Sequence, residues 1–115
     1  MPAAEALGDE AEALEVEAVR LFSLRSAWMI ECGKTPNVEA SILKVFISEL
    51  SEHISVAAQN IMGPYAAVRA GDPLAPVRGR LERLYRGFPM YKFAGGTNEV
   101  MRNIIAQRGL GMPRG

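Results

Sequence analysis

KTPNVEASILKVFISELSEHISVAAQNIMGP, Lys34 to Pro64, carries the punctuation of one long helix. Thr35 is a natural N-cap, and Pro36 suits the first helical position, where its missing N–H costs nothing. Gly63-Pro64 supplies the stop. Between these signals Val38, Ile42, Val45, Phe46, Leu50, Ile54, Ala57 and Ile61 form an apolar stripe along a helix of roughly 40 Å, at about 1.5 Å per residue. His53 lies within it with no ligand or acid pattern around it, and reads as a surface or inter-helix residue.

Upstream, Ala3 to Glu31 is rich in Ala, Leu and Glu without an internal proline, which predicts a second long helix. Leu14, Ala18, Leu21, Arg25 and Trp28 recur at helical spacing, with Phe22 and Met29 widening the stripe. Arg25 interrupts that face and is expected at a rim or against a partner's carboxylate. Glu5, Asp9, Glu10 and Glu12 crowd the first turns, where the helix dipole favours acids, and Gly33 provides the left-handed stop. A three-residue link to the next helix makes an antiparallel hairpin the expected arrangement.

Downstream, PYAAVRAGDPLAP (Pro64 to Pro76) reads as a loop, Pro76 to Arg86 as a short helix weakened by Gly79, and GFPMYKFAGG as an extended connection around Pro89. A last helix is predicted from Thr97 to Arg108, with Met101, Ile104 and Ile105 as packing residues. No strand pattern competes, so the fold class is all-α, an antiparallel helical bundle in a single unit spanning residues 1–115.

Composition narrows the function. The 115 residues carry 13 basic and 13 acidic side chains, yet residues 1–68 hold ten acids against four Lys or Arg and residues 69–115 three against nine. A basic half can meet phosphates, but Arg69, Arg78, Arg80, Arg83 and Arg86 alternate with apolar residues and read as solvated or inter-helix cations; no nucleic-acid motif accompanies them. No apolar run reaches the roughly 18 residues of a membrane span. The start lacks the pattern of a signal peptide, which points to a soluble, cytoplasmic protein. Cys32 has no partner for a disulfide or a metal site and reads as a half-buried small residue. Trp28 and Tyr91 read as packing residues.

The end of the chain holds the richest motif, FAGGTNEVMRNIIAQRGLGMPRG, Phe93 to Gly115. Gly95-Gly96 permits positive φ and close approach to a flat ligand, Thr97 can cap the helix that follows, and the free amides at a helix start suit a phosphate or a carbonyl. The longer string AGGTNEVMRNIIAQRGLGMPR closely resembles the C-terminal signature of acyl-CoA dehydrogenases, and the Lys34–Gly63 helix, with its Ala-Ser-Ile-x-Lys segment, resembles the family's long helix. The resemblance covers residues 14–114. It implies the family's C-terminal four-helix domain without that domain's first helix, FAD as cofactor, and α,β-desaturation of an acyl-CoA thioester with hydride transfer to flavin.

Carried onto this sequence, Thr97, Asn98 and Glu99 take flavin-contacting positions, Gly96 the place beside the substrate thioester, and Asn60 and Gly63 the flavin contacts at the turn after the long helix. Gly95 stands where many members hold the catalytic glutamate, so no catalytic residue is assigned to this chain. Asn60 replaces a glutamine and Pro64 a glycine, and Pro64 has no N–H to offer. The N-terminal helical and middle β domains have no counterpart here. The resemblance therefore implies part of a larger enzyme, completed by the missing domains or a companion subunit in a homo- or hetero-oligomer, with no metal and no nucleic acid. The alternative is a non-catalytic helical partner subunit derived from the same family.

Overall fold

The computed structural model of the protein describes residues 2–114, with side chains from Glu10 onward; Met1, Gly115 and the side chains of Glu5 and Asp9 lie outside it. It holds α1 (Pro2–Glu31), α2 (Asn37–Met62), α3 (Arg80–Phe93) and α4 (Asn98–Ile104), with 3-10 turns at Gly63–Ala67 and Pro76–Gly79 and a π-turn at Ile105–Gly109. Among the described residues there is no strand, and the all-helical expectation holds. None of the described helices is long and apolar enough to cross a membrane.

α1 stops where the sequence says. Gly33 takes φ +71°, its N–H donates to Ile30 O at 2.9 Å, and Lys34 N–H donates to Met29 O at 2.8 Å, so two end carbonyls of the helix are satisfied. The chain then turns back. Arg25 meets Glu39 at 3.3 Å near one end of the α1/α2 pair, and His53 Nδ1 lies 3.9 Å from Glu15 near the other. The two helices are antiparallel, as expected, and Arg25 finds its carboxylate within the chain.

α2 is the middle layer. At about 100° per residue, Glu39, Phe46, Leu50 and His53 share one side and face α1. Ser41, Val45, Ser48, Glu52 and Ser55 share the other and face α3 and α4. The core sits on this second side. Ser41, Val45, Ser48 and Ser55 are buried there, and Leu50 is buried on the side toward α1. The serines recur every seventh residue, and each hydroxyl donates to a carbonyl of its own helix: Ser41 to Asn37, Ser48 to Val45 and Ser55 to Glu52. Small side chains with internally satisfied hydroxyls let α3 and α4 approach closely.

Several expectations need correction. The α2 stripe drifts around the helix and divides between the two faces, leaving Ile61 75% exposed. α2 begins one residue later than Thr35 would place it: Pro36 is the N-cap, without a side-chain cap, while Asn37 N–H bonds Thr35 O. On α1 the face toward α2 is Glu15, Ala18, Val19, Phe22, Ser26 and Met29; Leu14, Leu21, Leu24 and Trp28 are more than half exposed. Cys32 is exposed.

The larger correction concerns α3. It starts only at Arg80, after Val77, Arg78 and Gly79 adopt left-handed backbone, and then runs through Pro89 to Phe93. Pro89 forfeits one backbone bond, but packing against α2 outweighs that loss. The Lys92–Glu52 ion pair and the bond from Lys44 Nζ to Lys92 O hold the last turn in place. Local proline chemistry sets a preference that tertiary packing overrides.

Candidate functional site

The segment expected to carry function is a tight reversal between α3 and α4. Ala94 N–H closes α3 on Met90 O, Gly95 and Gly96 follow at φ +71° and +103°, and Thr97 then takes extended backbone and caps α4. Thr97 Oγ1 accepts from Val100 N–H at 3.3 Å. A side chain at Gly95 would meet no atom within 4 Å, whereas one at Gly96 would strike Met101 Cε. Gly95 thus leaves an open edge beside the helix start, and both glycines are needed for their left-handed geometry.

Beyond the cap the three expected contact residues diverge. Glu99 is exposed, and its carboxyl is held below its ordinary value, first by its own backbone N–H and then by the Thr97 hydroxyl, with Arg102 and Lys44 adding charge attraction. Asn98 is buried. Its Oδ1 accepts from Lys44 Nζ at 2.6 Å, and its amide N–H donates to Ser48 Oγ at 2.8 Å. Lys44 also donates to Lys92 O at 3.0 Å. One lysine of α2 therefore ties together the end of α3 and the first residue of α4. The Asn98 side chain is spent on this network and faces away from the open edge.

Asn60 and Gly63 lie elsewhere. Gly63, at φ +55°, caps α2 through its N–H to Gln59 O, and Asn60 is exposed. Ser48, against which Asn98 packs, precedes Asn60 by twelve residues, or about 18 Å of helix. Within one copy the two sets of expected flavin contacts therefore form two separate places.

Glu99 gives this site a pH signature. Its folded-state value is lowered, so its contribution to stability is present above the ordinary value of 4.5 and is lost as the pH falls through the folded-state value. The difference in urea midpoint between the natural chain and Glu99→Gln is expected to stay constant through neutral pH and to shrink in that acid window. An unchanged difference down to the acid limit would rule out the cap interaction.

A second feature escaped the sequence. An open cleft of about 810 Å³ lies between the loop at Arg69–Ala70 and one face of α3, and Arg69, Arg78, Arg80, Arg83 and Arg86 line it with Glu82. Glu82 draws Arg86 to 2.8 Å and Arg69 to 3.8 Å. The signal was present in the helical spacing of Arg80, Arg83 and Arg86, but only the fold brings Arg69 across from the preceding loop.

With the geometry in place, comparison with known proteins assigns the family. The model of the acyl-CoA dehydrogenase C-terminal domain matches residues 11–110. The chain belongs to the acyl-CoA dehydrogenase C-terminal domain family. It is 40% identical over 84 residues to acyl-CoA dehydrogenase FadE26 of Mycobacterium tuberculosis (strain ATCC 25618 / H37Rv), covering 73% of this chain and 21% of that protein. It is 29% identical over 92 residues to the 3-(aryl)acrylate reductase of Clostridium sporogenes (strain ATCC 15579), covering 80% and 22%. Among solved structures, a chain of the ChsE4–ChsE5 complex from Mycobacterium tuberculosis superposes with TM-score 0.83 at 34% identity, over 96% of this chain and 28% of that one. A chain of the Tcur3481–Tcur3483 steroid ACAD gives 0.87 at 28%, over 96% and 29%. The acyl-CoA dehydrogenase-like chain thus spans between a fifth and a third of the length of these relatives.

Proposed function

We propose that residues 1–115 form a C-terminal-type helical unit of an FAD-dependent acyl-CoA dehydrogenase, acting in α,β-desaturation of an acyl-CoA thioester only together with further dehydrogenase domains or a companion subunit. The observation that carries this reading is the open Gly95–Gly96 turn feeding the Thr97 cap. It offers an uncluttered backbone edge at the position where the family signature meets flavin. When bound, the flavin would accept the hydride. This chain's part is to hold and border it: Thr97 and Glu99 by side chain, Asn98 through its main chain, Gly96 beside the thioester, and Asn60 and Gly63 at a separate contact contributed to another copy or chain. Gly95 has no group to take a proton, so the base comes from elsewhere.

The exposed row Leu14, Leu21, Leu24 and Trp28 on α1 supports an assembly. Apolar side chains at this spacing on one unpartnered side suit a further helix, and the paired subunit names of two structural relatives favour a hetero-oligomer. We place the assembly in the cytoplasm.

Gly95 at the base position and the full engagement of Asn98 favour a second reading, a helical partner subunit that keeps the packing surfaces without the flavin. Purification of the chain together with the products of neighbouring genes separates the two. The first reading expects a yellow complex that loses flavin in Thr97→Ala; a colourless, inactive complex overturns it and leaves the second. Trp28→Asp is expected to abolish the complex under either reading.

A further inference from the structure

We infer that the arginine cleft between the Arg69–Ala70 loop and α3 is a binding site for a nucleotide carrying at least two phosphate groups. Its charge has no structural explanation. Five arginines face one carboxylate, a net charge of +4 in a cleft of about 810 Å³. Elsewhere four described cations have their own carboxylate, Arg20 with Glu17, Arg25 with Glu39, Lys92 with Glu52 and Arg102 with Glu49, and those without one, Lys34, Lys44, Arg108 and Arg114, are not gathered in one cleft. In the cleft only Arg69 and Arg86 have a partner, and they share Glu82. No described carboxylate pairs with Arg78, Arg80 or Arg83. Like charges gathered on low-dielectric walls repel one another and focus their field on an incoming anion.

The local build supports such a ligand. Glu82, whose side chain is only 13% exposed, draws guanidinium groups from two different elements toward one point of the cleft. Gly79 is buried, and a Cβ there would lie 2.3 Å from Ala70 N; glycine at this position lets the loop close against the start of α3. Guanidinium forks match phosphate oxygens in pairs. The volume is within the range of about 300–1,000 Å³ usual for small-ligand pockets. Tyr91 and Met90 at the far end of the cleft provide a flat apolar surface for a base.

A nucleic-acid duplex fits less well. The basic face spans only the first turns of a 14-residue helix, and residues 1–68 carry six more acids than bases. The inference stands apart from the flavin reading, because the cleft lies on α3 and is built without the Thr97 edge.

Titration calorimetry of the whole chain with ADP, coenzyme A, FAD and inorganic pyrophosphate tests it. All four are expected to bind, AMP more weakly, with affinity falling as salt is raised. Arg80→Ala and Arg83→Ala are each expected to weaken pyrophosphate binding about tenfold, the loss of one charge-assisted contact. Arg20→Ala should leave it unchanged. Tighter binding of coenzyme A than of ADP would assign the site to the 3′-phosphorylated carrier, tighter binding of FAD to the dinucleotide, and equal affinities to free nucleotides. Absence of pyrophosphate and ADP binding, binding undiminished in Arg80→Glu/Arg83→Glu, or preference for duplex DNA over every nucleotide would overturn the proposal. Amide shifts of Gly79 and Gly87 on adding ADP give a second reading that needs no variant. A complex that binds ADP and pyrophosphate in this cleft, but whose flavin content does not respond to Thr97→Ala, would refute the proposed function and leave this site standing.

Discussion

Gly79→Ala is expected to cost about 3 kcal/mol of folding stability, from left-handed backbone and overpacking together. The new Cβ would lie 2.3 Å from Ala70 N and 2.6 Å from Ala70 Cα. Both are backbone atoms, so no side-chain rotation relieves the overlap, and the loop itself must move. Gly79 also takes φ +75°, which adds roughly 1–2 kcal/mol for a residue with a Cβ. Against the ~5–15 kcal/mol that holds typical domains together, this is a large fraction. Gly87→Ala on the same helix is the contrast. Nothing lies within 4 Å of its Cβ position and its φ is ordinary, so it is expected to stabilise the helix by about 0.5–1 kcal/mol. Urea unfolding followed by circular dichroism measures both. Equal midpoints for the two variants would mean that the loop does not press on Gly79. The cleft should fail with the fold here, since moving Ala70 carries Arg69 away from Glu82 and Arg86.

Much of this architecture could be read from local signals, and the failures share one cause. Gly33, the two long helices, their antiparallel pairing and the Thr97 cap follow from chemistry confined to a few neighbouring residues. The α2 core followed only in part. Val45 and Leu50 of the apolar stripe are buried as its spacing predicts, but most of the burial against α3 and α4 falls on Ser41, Ser48 and Ser55, because close helix approach selects for small volume. Pro89 likewise marked an end to helix, and packing carried α3 past it. On α1 the spacing of Leu14, Leu21 and Trp28 predicts a packing stripe, yet all three are more than half exposed, because the described contacts with α2 fall on the neighbouring side of the helix. The candidate site divides along the same line. Thr97 and Gly96 were legible because a cap and a left-handed turn are local. The direction of Asn98 was not, since it depends on a lysine 54 positions earlier. The arginine cleft needed a loop and a helix face brought together.

That lysine is the subject of the other large expected effect. Asn98→Ala would remove the acceptor of Lys44 Nζ and the donor to Ser48 Oγ. Lys44 would be left half-buried with Lys92 O as its remaining described partner. Stranding a charged group in this way costs about 3 kcal/mol. Two further substitutions separate the lost network from lost volume. Asn98→Asp keeps an acceptor for Lys44 and adds a negative charge at a helix start, where it is favoured, so it should stay within about 1 kcal/mol of the natural chain. Lys44→Met/Asn98→Leu removes both polar partners together and should recover most of the loss, giving a coupling of about 1.5–3 kcal/mol in a double-mutant cycle. Additive single losses in urea unfolding would mean that Lys44 and Asn98 are solvated independently. A strong coupling instead makes this network the joint that fixes α4 on α2, and with it the angle at which Gly95, Gly96 and Thr97 are presented. In a flavin-bearing complex Asn98→Ala should then lose flavin while Asn98→Asp retains it, although the Asn98 side chain faces away from that edge.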